Sequence, residues 1–94
     1  DYQKAKDCYE KIIKIDPNHV NGYHNLGIVL EKLKNFKEAT SAYKKALDLD
    51  PFNVKSLVAY GTMLFRLNNH KIGLEYIEKA TGMIKFTPTY YKII

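Results

Sequence analysis

The stretch Gly22–Ala39 reads GYHNLGIVLEKLKNFKEA. Leu26, Leu30 and Leu33 recur at the spacing of one helix face. Gly27 nonetheless sits inside that helix, where glycine costs roughly 1 kcal/mol against alanine. A penalty inside a regular apolar stripe calls for a compensating gain, and the rest of the chain supplies it.

The chain has 94 residues, of which 46% are apolar and 27% charged, the make-up of one small soluble domain or a piece of a larger one. No apolar run approaches the roughly 20 residues of a membrane span, and the opening at Asp1, with its alternating charges, lacks a signal-peptide pattern. No membrane partner is expected. The net charge of +5 arises mostly from lysine, with Arg66 the only arginine. Lys32, Lys34, Lys37, Lys44 and Lys45 are interleaved with acids, which reads as a solvated helix face. Arginine is the usual reader of bases, so no nucleic-acid partner is expected. The lone Cys8 rules out a disulfide framework within the chain and points to a reducing, cytoplasmic or nuclear compartment.

Ile15-Asp16-Pro17 and Leu49-Asp50-Pro51 place their prolines 34 residues apart. The same shift relates Ala5 to Ala39 and Gly73, Tyr9 to Tyr43 and Ile77, and Gly27 to Gly61. It also relates Leu30 to Leu64, Leu33 to Leu67 and Ala46 to Ala80. A period of this length marks stacked repeats. Residues 1–17 then form the second helix of one repeat, 18–51 a complete repeat, 52–85 a complete but divergent one, and 86–94 the start of another helix. Helices are predicted near Val20–Leu33, Phe36–Leu49, Val54–Leu67 and His70–Ile84. Pro17 and Pro51 stop the helices before them. Asn18 and Asn53 are expected to cap the helices that follow, and Asn35 with Glu38 forms a capping-box pattern. Asn69 repeats the cap, but Ile72 removes the box.

The glycine now has a reason. Antiparallel helices pack with axes about 8–10 Å apart, and the close end of that range needs small side chains at the crossing. Gly27 is expected to face Ala39, and Gly61 to face Gly73. The expected fold is all-α, a solenoid of antiparallel helix pairs. Tyr23, Leu26, Gly27, Leu30 and Leu33 would form the buried stripe of the first helix. Asn21, His24, Asn25, Ile28, Glu31 and Lys32 lie on its other face; Lys55, Val58, Ala59, Thr62, Phe65 and Arg66 are the corresponding residues of the next repeat. Ile28 and Phe65 are apolar yet off the stripe, which suggests a groove for an extended peptide or a helix. The candidate peptide-binding residues are Asn21, His24, Asn25, Ile28, Glu31, Lys55, Val58, Thr62 and Phe65. Asn25 is singled out because an amide both donates and accepts and can hold a peptide backbone. Neither end reads as a polar cap. Ile12, Ile13 and Ile15 at one end, and Tyr90, Tyr91, Ile93 and Ile94 at the other, suggest a segment of a longer array and self-association through its ends.

The pattern resembles the tetratricopeptide repeat family. That signature, an aromatic, Leu-Gly, a large apolar residue, Ala, an aromatic, Ala and Pro, falls on Tyr23, Leu26, Gly27, Leu30, Ala39, Tyr43, Ala46 and Pro51. The next repeat departs from it at Gly73, Ile77 and Lys85, and Pro88 and Tyr91 resemble the start of a further first helix. The resemblance implies a right-handed superhelix whose first helices line the concave side, and an asparagine at the Asn25 place that holds peptide backbone. Some members clamp the C-terminal carboxylate of chaperones, a co-chaperone-like role; Asn25 and Lys55 fit two places of such a clamp, but Ala59 stands where a basic residue would be. The resemblance implies a scaffold that binds a protein partner. The alternative is a targeting or scaffolding segment of a larger enzyme, such as a glycosyltransferase or peptidyl-prolyl isomerase, with catalysis outside this chain.

Catalysis within the chain is not expected. His19 and His24 are five apart, off the i, i+4 spacing of two ligands on one helix face. No carboxylate or cysteine cluster completes a metal site, and Gly27 and Gly61 lie in helices rather than in a phosphate loop. No cofactor is expected. Tyr9, Tyr23, Tyr43 and Tyr60 fall at core positions of the repeat rather than on a stacking platform.

Overall fold

The structure, a computed structural model, describes residues 1–83. The expectations placed on Ile84, Lys85, Pro88, Tyr90, Tyr91, Ile93 and Ile94 lie outside the described residues. Among the described residues five helices follow one another: α1 (Tyr2–Ile15), α2 (Val20–Lys32), α3 (Phe36–Leu49), α4 (Val54–Arg66) and α5 (His70–Met83). Among the described residues there is no strand. Each helix packs on the next, α1 on α2, α2 on α3, α3 on α4 and α4 on α5. The array is elongated, with principal extents of 44 × 25 × 21 Å.

Two kinds of turn recur at the 34-residue period read from Pro17 and Pro51. Between α2 and α3, Lys34 adopts the left-handed conformation at φ 63°, and Asn68 adopts it between α4 and α5 at φ 67°. The Asn35 amide donates to the Leu30 carbonyl at 2.8 Å and the Lys34 amide to Glu31 at 2.9 Å. Asn69 to Leu64 at 2.8 Å and Asn68 to Phe65 at 3.2 Å repeat the pair. This is a Schellman ending, which satisfies carbonyls that the helix leaves unpaired.

The other turn carries the prolines. The carbonyl of Asp16 accepts from the His19 amide at 3.1 Å, and that of Asp50 accepts from Asn53 at 3.1 Å. The two carboxylates accept from the amides of Asn18 at 3.1 Å and Phe52 at 3.2 Å. Proline suits the position after the aspartate because its ring fixes φ for the turn. The cap of α2 is consequently His19 rather than Asn18. Its Nδ1 accepts from the Gly22 amide at 2.7 Å, as the Asn53 side chain accepts from Ser56 at 3.0 Å. His19 is the residue 34 before Asn53, so the repeat itself gives the correct register. Asn35 is the N-cap of α3 but makes no side-chain capping bond, so the expected capping box does not form.

The core runs through the middle of the array. Leu30, Ala39, Ala42, Tyr43, Leu47, Leu57, Tyr60, Met63 and Ala80 are buried together. Gly27 and Leu30 are buried as the stripe requires, but Tyr23, Leu26 and Leu33 are half-buried, and Val29 is buried in their stead. The glycines sit at close crossings. A Cβ on Gly27 would lie 2.6 Å from the Tyr43 ring, so the expected facing of Gly27 on Ala39 gives way to the aromatic ring of α3, which takes the space Gly27 leaves. Gly61 and Gly73 do face each other directly.

Candidate functional site

The face shared by α2 and α4 presents its residues in two ways. Ile28, Val58 and Phe65 are apolar and exposed, with Asn21 and Lys55 exposed among them. Asn25 and Thr62 are half-buried. The Thr62 hydroxyl donates to the Val58 carbonyl at 2.7 Å, one turn back on its own helix.

His24 and Glu31 are tied into the array. His24 Nδ1 lies 3.1 Å from the hydroxyl oxygen of Ser56, which joins α2 to α4 across a repeat boundary. Ser56 is fully buried, so this partner satisfies a hydroxyl that would otherwise cost free energy. The His24 ring also packs on Tyr43, with centroids 5.4 Å apart. Burial holds the His24 pKa below 6.5; the nearby Lys55 lowers it further, and Glu31 opposes both. Glu31 accepts a hydrogen bond from the Tyr43 hydroxyl and faces the Arg66 guanidinium at 3.5 Å. Burial first, then the bond to Glu31, push the Tyr43 phenol well above its ordinary value, so it stays a donor.

These bonds have no signal in the sequence. His24 and Ser56 are 32 residues apart, and neither has a matching residue in the other repeat, where Val58 and Gly22 stand. Phe65 is brought against His70, with ring centroids 4.5 Å apart and planes inclined by 31°. Beside α2, Ile28, Glu31, Lys32, Lys34, Phe36 and Arg66 line one open hollow. Of these, Lys32, Lys34, Phe36 and Arg66 lie outside the candidate site residues.

Among the described residues no three of His, Cys, Asp or Glu gather to hold a metal ion. None of the described helices is long and apolar enough to cross a membrane. Cys8 is exposed on α1.

Helix pairs of 34-residue period, closed by small residues and opened by Asp-Pro turns, match two family profiles of the tetratricopeptide repeat, at residues 20–53 and 1–19. The chain belongs to the tetratricopeptide repeat family. The fold is accordingly an all-α helical-repeat solenoid. Tetratricopeptide domains of known structure superpose closely on it. The TPR2B domain of yeast Sti1, in a complex with pHsp70, is 29% identical with a TM-score of 0.83, covering 88% of this chain and 66% of that one. MamA from Desulfovibrio magneticus RS-1, residues 41 to the end, is 27% identical with a TM-score of 0.82, covering 87% and 46%. The TPR2AB domain of yeast Sti1 with pHSP90 is 29% identical with a TM-score of 0.81, covering 88% and 32%. The chain thus spans less than two thirds of the length of each of these solved chains. No curated protein sequence matches it.

Proposed function

We propose that this tetratricopeptide array is a protein-interaction module, and that the α2–α4 face receives an extended or helical segment of a partner. The observation that carries the reading is the row of exposed apolar side chains Ile28, Val58 and Phe65 on a face that is otherwise polar. Leaving three apolar side chains in water gains nothing for an isolated fold, whereas covering them releases about 25 cal/mol per Å². Asn25 and Thr62 supply polar edges for a peptide backbone, and Lys55 a positive charge. His24 and Glu31 serve the groove by fixing α2 against its neighbours, which lowers the entropy cost of binding. The yeast Sti1 domains, solved with pHsp70 and pHSP90, support the reading by likeness.

The test is to pan a library of displayed peptides on the chain and measure the selected binders against Asn25→Ala with Lys55→Glu, and against Phe65→Ser. The reading expects weakening of about tenfold or more, equal to 1.4 kcal/mol, with helical content retained. Binders whose affinity none of these changes alters would refute the groove.

A further inference from the structure

The two repeats treat one corner of the fold differently. Phe65 at the end of α4 stacks on His70 at the start of α5, 4.5 Å between centroids. The matching residues in the first repeat, 34 earlier, are Glu31 and Phe36. Glu31 cannot play the part of Phe65. Its carboxylate is drawn to the Tyr43 hydroxyl, a donor that the second repeat lacks because Ile77 stands there. Among the described residues no aromatic ring stacks on Phe36, which is 39% exposed beside Ile28, also 39% exposed. Both line the open hollow at the α2–α3 turn.

The rim of that hollow is basic. Lys32, Lys34 and Arg66 are exposed around it, and the one acid, Glu31, already accepts from Tyr43 and faces Arg66. An apolar floor with a cationic rim favours an apolar group flanked by anions. The corner filled by Phe65 in the second repeat shows that a ring can pack at this place.

We infer that the hollow at the α2–α3 turn docks an aromatic side chain of a partner protein, with carboxylates on either side of it in the partner's sequence. The ring stacks on Phe36 as Phe65 does on His70, and the carboxylates pair with Lys32, Lys34 and Arg66. No chain end is required of the occupant. The inference rests on the interaction reading above and names the chemistry of the partner.

The test uses the whole chain and a short synthetic peptide with a single Phe between Asp and Glu residues, its C-terminus amidated. Fluorescence anisotropy is expected to show binding that falls about tenfold when the peptide Phe becomes Ala, and similarly when its acids become Asn and Gln. On the protein, Lys32→Gln with Lys34→Asn is expected to weaken it by a similar factor. Asn is the residue of the matching turn, so the backbone is kept. Phe36→Ser, which removes the ring at an exposed first residue of α3, is a second variant and is expected to weaken binding similarly. Unchanged affinity for both protein variants would overturn the inference, as would equal binding of the acid-free peptide or equal competition by heparin. If library binders lose affinity with Asn25→Ala and Lys55→Glu but not with Lys32→Gln, Lys34→Asn or Phe36→Ser, the hollow is refuted while the groove stands.

Discussion

A Cβ added to Gly73 would lie 2.6 Å from the carbonyl oxygen of Gly61, and one added to Gly61 would lie 2.7 Å from the carbonyl oxygen of Gly73. Two backbones meet here, and neither can give way as a side chain could. At Gly27 the obstacle is the Tyr43 ring instead. Gly61→Ala and Gly73→Ala are each expected to cost about 1–3 kcal/mol in urea unfolding, more than Gly27→Ala. Gly82, where an added Cβ would meet nothing within 4 Å among the described residues, is the control. Gly82→Ala is expected to stabilise by up to about 1 kcal/mol through helix propensity. Equal effects at all four sites would remove the close crossing from the account.

Lys34 occupies a left-handed backbone position, φ 63°, that costs a side chain with a Cβ roughly 1–2 kcal/mol. Lys34→Gly is expected to stabilise by about 0.5–1 kcal/mol after its own entropy cost. Asn68→Gly, at φ 67°, is expected to gain less, because asparagine tolerates this region. Thermal melts of the two variants check the order.

The solenoid was legible because its cause is periodic. A 34-residue shift carries Pro17 to Pro51 and Gly27 to Gly61, and helix starts at Val20, Phe36, Val54 and His70 follow from it. The same shift contained the cap of α2, since His19 aligns with Asn53; residue preference favoured Asn18 and missed it. What breaks the period could not be read. His24 meeting Ser56, and Glu31 turning to Tyr43, depend on side-chain directions across helices, and each pair has no counterpart one repeat away. The exposed apolar residues Ile28 and Phe65 were visible as departures from the stripe. The hollow was not, because Phe36 reads as an ordinary first residue of a helix.

The burial of His24 beside Lys55 makes stability depend on pH. The unfolded imidazole takes up its proton near 6.5, and the folded one, held back by burial and Lys55, only at lower pH. As pH falls below 6.5 the unfolded state binds more protons, and stability drops; above 6.5 the contribution is complete. The melting temperature of the wild type is expected to fall across this window more steeply than that of His24→Gln. Ser56→Ala is expected to cost about 0.5–1.5 kcal/mol for the lost bond. A His24→Gln variant with the same pH slope would show that the imidazole is not the cause.

Tyr43→Phe keeps the ring under Gly27 and removes only the hydroxyl that donates to Glu31. A hydrogen bond to a charged group is worth about 1.5–3 kcal/mol, and the loss of stability in urea unfolding is expected in that range. A smaller change would mean that Arg66 alone holds Glu31.

The most direct test of the interaction surface is an amide chemical-shift titration of the folded chain with a peptide selected by panning. The account predicts that the largest shifts cluster at Ile28, Lys55, Val58 and Phe65 on α2 and α4. Shifts concentrated instead on α3 and α5, at residues such as Thr40, Lys44 and Lys79, would contradict it.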